Sequence, residues 1–226
     1  ASDPDEENYI VESGSTPVAW LSLNGLASGI TAWIKMLVVH PQHQRAGVGT
    51  FAIEEAEQIL KRRIFDKLYI QTTADNLPAQ QCYEKYGFSR IPSVNQGKFI
   101  YEKAVPLNIQ TFAESTDQEA TMQAIFHCDW RAAKFLAQLL KENRLEEYVG
   151  EGTLYLLWCG TELAGFIILG KKDGLPDPNR TPWLSFLFVA PAYRGRRLGK
   201  RLIDHACEAA KEIPAGVPVY GSRRAL

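Results

Sequence analysis

The 226-residue sequence predicts an α/β (α+β) protein, a mixed, twisted sheet flanked by helices and built twice over. Three observations carry that reading. The apolar run "ITAWIKMLVV" at 30–39 has the length of a strand and stops at His40 and Pro41. From 49 to 63, apolar Phe51, Ile53, Ala56, Ile59 and Leu60 then recur at helical spacing with charged residues between them, so a strand feeds an amphipathic helix through a short loop. The same unit returns as "WLSFLFV" at 183–189 and a helical pattern over 198–211, and the two loops align 150 positions apart, Pro41 with Pro191, Gln44 with Arg194 and Gly49 with Gly199. Such self-similarity marks an internal duplication.

Taken in order, 9–11 and 17–23 are apolar or alternating segments split by "ESGST" and read as a hairpin. The near-continuous run at 30–39 should be a strand buried on both faces. "KLYIQTT" at 67–73 is a further strand, 76–86 a helix preceded by "ADN" and closed by Gly87, and 98–105 a strand. Residues 106–108 form a boundary, which gives domains 1–105 and 106–226. The second begins with a strand at 109–115, helices at 118–126 and 131–140 and a hairpin at 153–170 turning at Gly160 and Thr161. A loop rich in turn formers at 170–182 precedes the repeated strand and helix, and "VPVY" at 217–220 follows them. The first copy lacks the strand and two helices that open the second, and the second lacks the final helix and strand of the first. Trp20, Trp33, Trp158 and Trp183 lie on strands and should be core, whereas Trp130 starts a helix and is placed to line a cleft.

Composition narrows the class. Hydrophobic residues make up 46% and charged residues 23%, with a formal net charge of −1, which describes a globular chain with no bulk attraction for a polyanion; no nucleic-acid partner is expected. The four cysteines, Cys82, Cys128, Cys159 and Cys207, are scattered and have no histidines at ligand spacing, so neither a metal site nor a disulfide framework is expected. The acidic start "ASDPDEENYIVES" has no basic region followed by an apolar core, and no apolar run approaches the roughly 20 residues that span a bilayer. The expectation is a cytoplasmic protein without a membrane partner.

The loop "VHPQHQRAGVGT" at 39–50 lies where a helix begins. A helix start leaves about four N–H groups without partners and carries roughly half a positive charge. Glycines at 47 and 49 keep Cβ atoms out of the way and permit positive φ, and Gln44 and Arg45 add donors, which together suit a diphosphate. The plainer alternative is a tight strand-to-helix turn with polar residues on the surface. The loop is neither a Walker A sequence nor G-x-G-x-x-G.

The run Val39-x-Pro41-x-x-Gln44-x-x-Gly47-x-Gly49 resembles motif A of the GNAT acetyltransferase superfamily, and "ADNLPAQQCYEKYGF" at 74–88 resembles its motif B. The pair spans most of 9–105, and the second half resembles the family's opening half through motif A. The resemblance implies that Leu37, Val38 and Val39 splay from the neighbouring strand and offer backbone groups to the pantetheine arm and thioester carbonyl of acetyl-CoA. It implies that Gln44, Arg45, Ala46, Gly47, Val48, Gly49 and Thr50 cradle the diphosphate and that Asn76 contacts the cofactor arm. Tyr83 stands where many members place the tyrosine that protonates the departing thiolate; its plain reading is a helix residue packed on the sheet.

By the same match Val189, Arg194, Gly195, Arg196, Arg197, Leu198, Gly199 and Lys200 would bind cofactor in the second copy. Arg197 stands where the pattern has glycine, and the blander reading of that half is structural. No acidic residue on the loop-bordering strands offers itself as general base; His40 and His43 flank the loop, and a water chain would serve equally. Cys82 has no histidine beside it and reads as packing. The implied function is transfer of acetyl from acetyl-CoA to a primary amine of a small molecule or peptide by direct attack. A non-catalytic acyl-CoA sensor or scaffold is the alternative, and a homodimer stays open.

Overall fold

The computed structural model describes residues 5–95, 97–173 and 181–212, with the side chains of 93–95 excepted. The segment at 217–220 and the middle of the turn-rich loop, 174–180, lie outside the described residues. The chain divides into two compact units, Ala1–Leu107 and Asn108–Leu226.

In the first unit the order is β1 (Glu6–Ser13), β2 (Thr16–Asn24), β3 (Thr31–Val39), α1 (Val48–Arg62), β4 (Lys67–Thr73), α2 (Leu77–Lys85), β5 (Ser89–Asn95) and β6 (Lys98–Ala104). They form one sheet in the order β1-β2-β3-β4-β6-β5, antiparallel except for the parallel pair β3–β4. Ala52, Ile53, Ala56 and Leu60 form the buried stripe of α1, and Ile53, Ala56 and Leu60 share a core with Leu21, Leu23, Ile34, Leu68, Ile70 and Tyr83. β5 is a strand beyond those the sequence pattern predicts. Its "SRIPSVN" has Pro92 in mid-strand, and it survives as a strand because it lies at the sheet edge with a register shift between Arg90 and Val94, where a missing N–H is tolerated.

The second unit runs β7 (Ile109–Thr111), α3 (Gln118–Phe126), α4 (Arg131–Lys141), α5 (Leu145–Val149), β8 (Gly152–Cys159), β9 (Glu162–Gly170), β10 (Trp183–Val189) and α6 (Leu198–Lys211), with an antiparallel sheet ordered β10-β9-β8-β7. β7 is shorter than the strand expected at 109–115, because Glu114 folds back to accept from the Thr111 N–H at 2.7 Å and its hydroxyl at 2.9 Å and ends the extended run. The short helix α5, five residues long, is an addition to the predicted elements because it carries no long periodic pattern.

Burial separates the two units. In the second, Leu156, Phe166 and Phe188 are register partners in one row across three strands, and all are buried beneath Ile125 of α3 and Ala133, Leu136 and Ala137 of α4. On the opposite face α6 comes so close that a Cβ on Gly165 would sit 3.2 Å from Leu202 Cδ1. The matching row of the first unit, Ile10, Trp20 and Val38, is 59%, 41% and 48% exposed. The expectation that the strand at 30–39 is buried on both faces is therefore corrected. Ala32 and Ile34 are buried, but on the side away from α1 no helix covers Val38 or Met36 among the described residues. Trp20 likewise is an exposed residue that donates its indole N–H to Asn8 at 2.9 Å. Trp130 belongs to the second core, stacked on Phe188 at 5.8 Å and 12°, and not to a cleft.

Candidate active site

Two breaks in the regular structure of the first unit meet at one place. β3 and β4 pair only from Thr31–Lys67 to Ile34–Ile70, after which β3 follows β2 to Val39 while β4 follows β6 to Thr73. Leu37, Val38 and Val39 thus border a wedge between diverging strands, where alternate peptide groups of β3 point away from β2. A single 3-10 turn at Pro41–His43 then carries the chain toward α1, and Gln44 Nε2 donates to the Val39 carbonyl at 3.3 Å, tying loop to strand end.

The loop enters α1 through two left-handed residues, Arg45 (φ 62°) and Gly47 (φ 85°), with Ala46 between them. Gly47 is the N-cap, and no side chain caps this helix start among the described residues. The N–H groups of Val48, Gly49 and Thr50 are consequently turned outward at the positive end of the helix dipole. A Cβ on Gly47 would meet nothing within 4 Å, so glycine is required there by φ and not by crowding.

The second unit repeats this path with the residue types exchanged. Arg194 Nε donates to the Val189 carbonyl at 3.1 Å, as Gln44 does to Val39. The two left-handed positions are Gly195 (φ 80°) and Arg197 (φ 56°), so glycine and arginine swap places relative to Arg45 and Gly47. Arg197 caps α6 through its backbone with an exposed side chain, Leu198 is buried beneath it, and Gly199 and Lys200 follow in the first turn, with Lys200 paired to Asp204 at 2.5 Å. Arg196 is half-buried, its guanidinium 5.8 Å from the Tyr193 ring. The sequence pattern makes Arg197 a departure; the backbone makes it a left-handed residue in the same place.

Asn76 is the N-cap of α2, its side chain accepting from the Ala79 N–H at 3.3 Å. Tyr83, 9% exposed, lies within the first core with Tyr101 at 5.6 Å and Phe88 at 6.1 Å. Tyr101 pairs with Ile70, and Ile70 with Ile34, the last rung before the strands part, so the Tyr83 ring packs over the row that closes the wedge. Burial pushes its phenol up to about 12, with Cys82 and Tyr101 adding to the shift. Its neighbour Tyr101 is not legible from the helix pattern, because β6 is remote in sequence. His40 and His43 lie at the loop with ring centroids 5.8 Å apart.

The sequence pattern of the acetyltransferase (GNAT) family matches residues 1–88 and 116–219. The chain belongs to that family. No curated protein gives a match. Among solved structures it is similar to the ribosomal-protein-S18-alanine N-acetyltransferase from Escherichia coli, at 19% identity over 47% of this chain and 73% of that one with a TM-score of 0.42. A GNAT family acetyltransferase from Elizabethkingia anophelis with acetyl-CoA bound is 19% identical over 44% of this chain and 76% of the other, TM-score 0.40. The PaiA N-acetyltransferase from Thermoplasma acidophilum in complex with coenzyme A is 23% identical over 44% and 61%, TM-score 0.41. Membership rests on the sequence match; likenesses at these values add nothing to it. Among the described residues no helix is long and apolar enough to cross a membrane.

Proposed function

We propose that the first unit transfers an acetyl group from acetyl-CoA to a primary amine by direct attack, with no covalent enzyme intermediate. The observation that carries this reading is the uncapped start of α1 at the mouth of the β3–β4 wedge. Acetyl-CoA supplies the activated thioester. The backbone from Gln44 through Arg45, Ala46, Gly47, Val48 and Gly49 to Thr50 would hold the diphosphate, whose charge suits the helix dipole and whose oxygens suit outward N–H groups. Backbone groups of Leu37, Val38 and Val39 would orient the arm and polarise the carbonyl, and Asn76 would border the arm at the start of α2.

The amine nitrogen forms the new bond to the acetyl carbon as the carbon–sulfur bond breaks, the amine proton leaving to water or to His40 or His43. Tyr83 would serve the departing sulfur. A phenol held at about 12 stays protonated at neutral pH and so is a donor. Outright transfer to a thiolate of ordinary pKa near 8.5 is uphill by about 5 kcal/mol, so its part is a hydrogen bond that strengthens as charge grows on sulfur. For the second unit, the exposed arginine at the N-cap of α6 favours the alternative, an acyl-CoA-binding or structural half without turnover. There Val189, Arg194, Gly195, Arg196, Arg197, Leu198, Gly199 and Lys200 keep the loop path.

Calorimetric titration with acetyl-CoA, run beside thiol release against a panel of small and peptide amines, tests this. Binding in the range of about 1 μM to 1 mM with turnover of at least one amine is expected, and Gly47→Glu should abolish both. Binding without turnover leaves the sensor reading, and no binding at all removes the proposal.

A further inference from the structure

The outer side of the α3–α4 pair is a groove of about 530 Å³. It is built from one face of each helix. Glu119, Met122 and Phe126 of α3 line it at helical spacing, while Thr121 and Ile125 on the other side of that helix are buried. On α4 the lining comes from Arg131, Lys134, Phe135 and Lys141, with Ala133, Leu136 and Leu139 turned to the core. Beyond their core faces the helices put Met122 and Phe126 of α3 and Phe135 of α4 at the groove, and Phe126 and Phe135 remain 47% and 39% exposed. Phe135 is held at the rim by an edge contact with Tyr148 at 5.1 Å.

We propose that this groove docks an acidic amphipathic helix of a partner polypeptide. Charge supports that occupant. Arg131, Lys134 and Lys141 contribute three positive charges, and among the described residues none of them is in an ion pair. Glu119 is the one carboxylate of the lining, and it already accepts from Gln123 at 3.3 Å. A local excess of two cations on a chain of net charge −1 is not the surface average. Shape supports it too. The α4 lining from 131 to 141 runs about 15 Å at 1.5 Å per residue, the length of roughly three helical turns, and a groove between two helices with Met122, Phe126 and Phe135 in its lining forms the seat of a third helix. A bilayer surface is flat and would not reach a recessed floor between helices. The surface is independent of the acyl-transfer reading.

The test uses the full chain and a labelled peptide of about 15 residues, long enough to hold helix, with leucines at i, i+4 and i+7 and glutamates beside them. A twin with lysine for every glutamate is the control. Fluorescence anisotropy should show saturable binding of the acidic peptide only, weakened about tenfold or more by Phe126→Ser and by Lys134→Glu, with Lys134→Glu shifting preference toward the lysine peptide. Lys134 is exposed, so circular dichroism of that variant should be unchanged, which keeps loss of binding separate from loss of fold. Equal binding of both peptides, binding of neither, or preference for phosphatidylserine vesicles or a single-stranded oligonucleotide over the acidic peptide would each overturn the proposal.

Discussion

Because Tyr83 is buried, alkaline pH probes the first core directly. Its phenol rises from an ordinary 10.0 to about 12, chiefly through desolvation. In the unfolded chain the same phenol titrates near its ordinary value, so between these limits the folded chain holds a proton that the unfolded chain has released. The contribution is fully present below the unfolded pKa and is lost as pH rises through the folded one. Two pH units at about 1.36 kcal/mol each amount to about 2.7 kcal/mol, with about half of it lost by pH 11. Tyr69 and Tyr101 are shifted the same way by burial, so the comparison that isolates Tyr83 is with Tyr83→Phe, which keeps the ring against Tyr101 and Phe88. Urea unfolding at about pH 8 and about pH 11 should show the parent protein losing about 1.4 kcal/mol more than the variant. Equal losses would refute the burial account, and with it the claim that desolvation raises this phenol above its ordinary value.

The exchanged loop residues predict opposite responses. Gly47→Ala forces a Cβ into φ 85° and should lower stability by about 1 kcal/mol. Arg197→Gly relieves the same conformation and should be neutral or stabilising by thermal denaturation, the gain being trimmed by a freer unfolded chain; a loss above about 1 kcal/mol would contradict it. The two register rows predict a contrast as well. Phe166→Ala and Leu156→Ala should each cost about 2–5 kcal/mol in urea, whereas Ile10→Ala and Val38→Ala should cost under about 1, and similar costs in both rows would show that the exposed row is covered in solution.

Much of the architecture is legible before any coordinates. The strand at Trp183–Val189 and the helices at Gln118–Phe126 and Leu198–Lys211 begin and end where periodicity and turn residues place them, and α1 differs from its expected start by one residue. What escapes is non-local. β5 is invisible because Pro92 is admissible only once the strand is known to be an edge. Val38 and Trp20 read as core because apolar residues on a strand normally are, and nothing in their own segment says that no helix covers the far face among the described residues. At the site the loop, the Asn76 cap position and the Tyr83 helix are visible as local patterns. The shortened β3–β4 ladder and the Tyr101 contact depend on which strands pair. The glycine–arginine exchange was readable in principle, Arg45-x-Gly47 against Gly195-x-Arg197, but its meaning depends on both φ values.

β10 pairs only with β9 among the described residues and carries seven residues without a charge, Leu187 among them 40% exposed. Uncharged edges of this kind invite strand addition from other molecules. The bulge between Ser185 and Phe188, with Phe186 at φ 50°, throws the peptide groups out of step midway, so that a straight incoming strand could match only part of the edge. A kink that costs local conformational strain thereby acts as a guard against aggregation where no lysine or proline does.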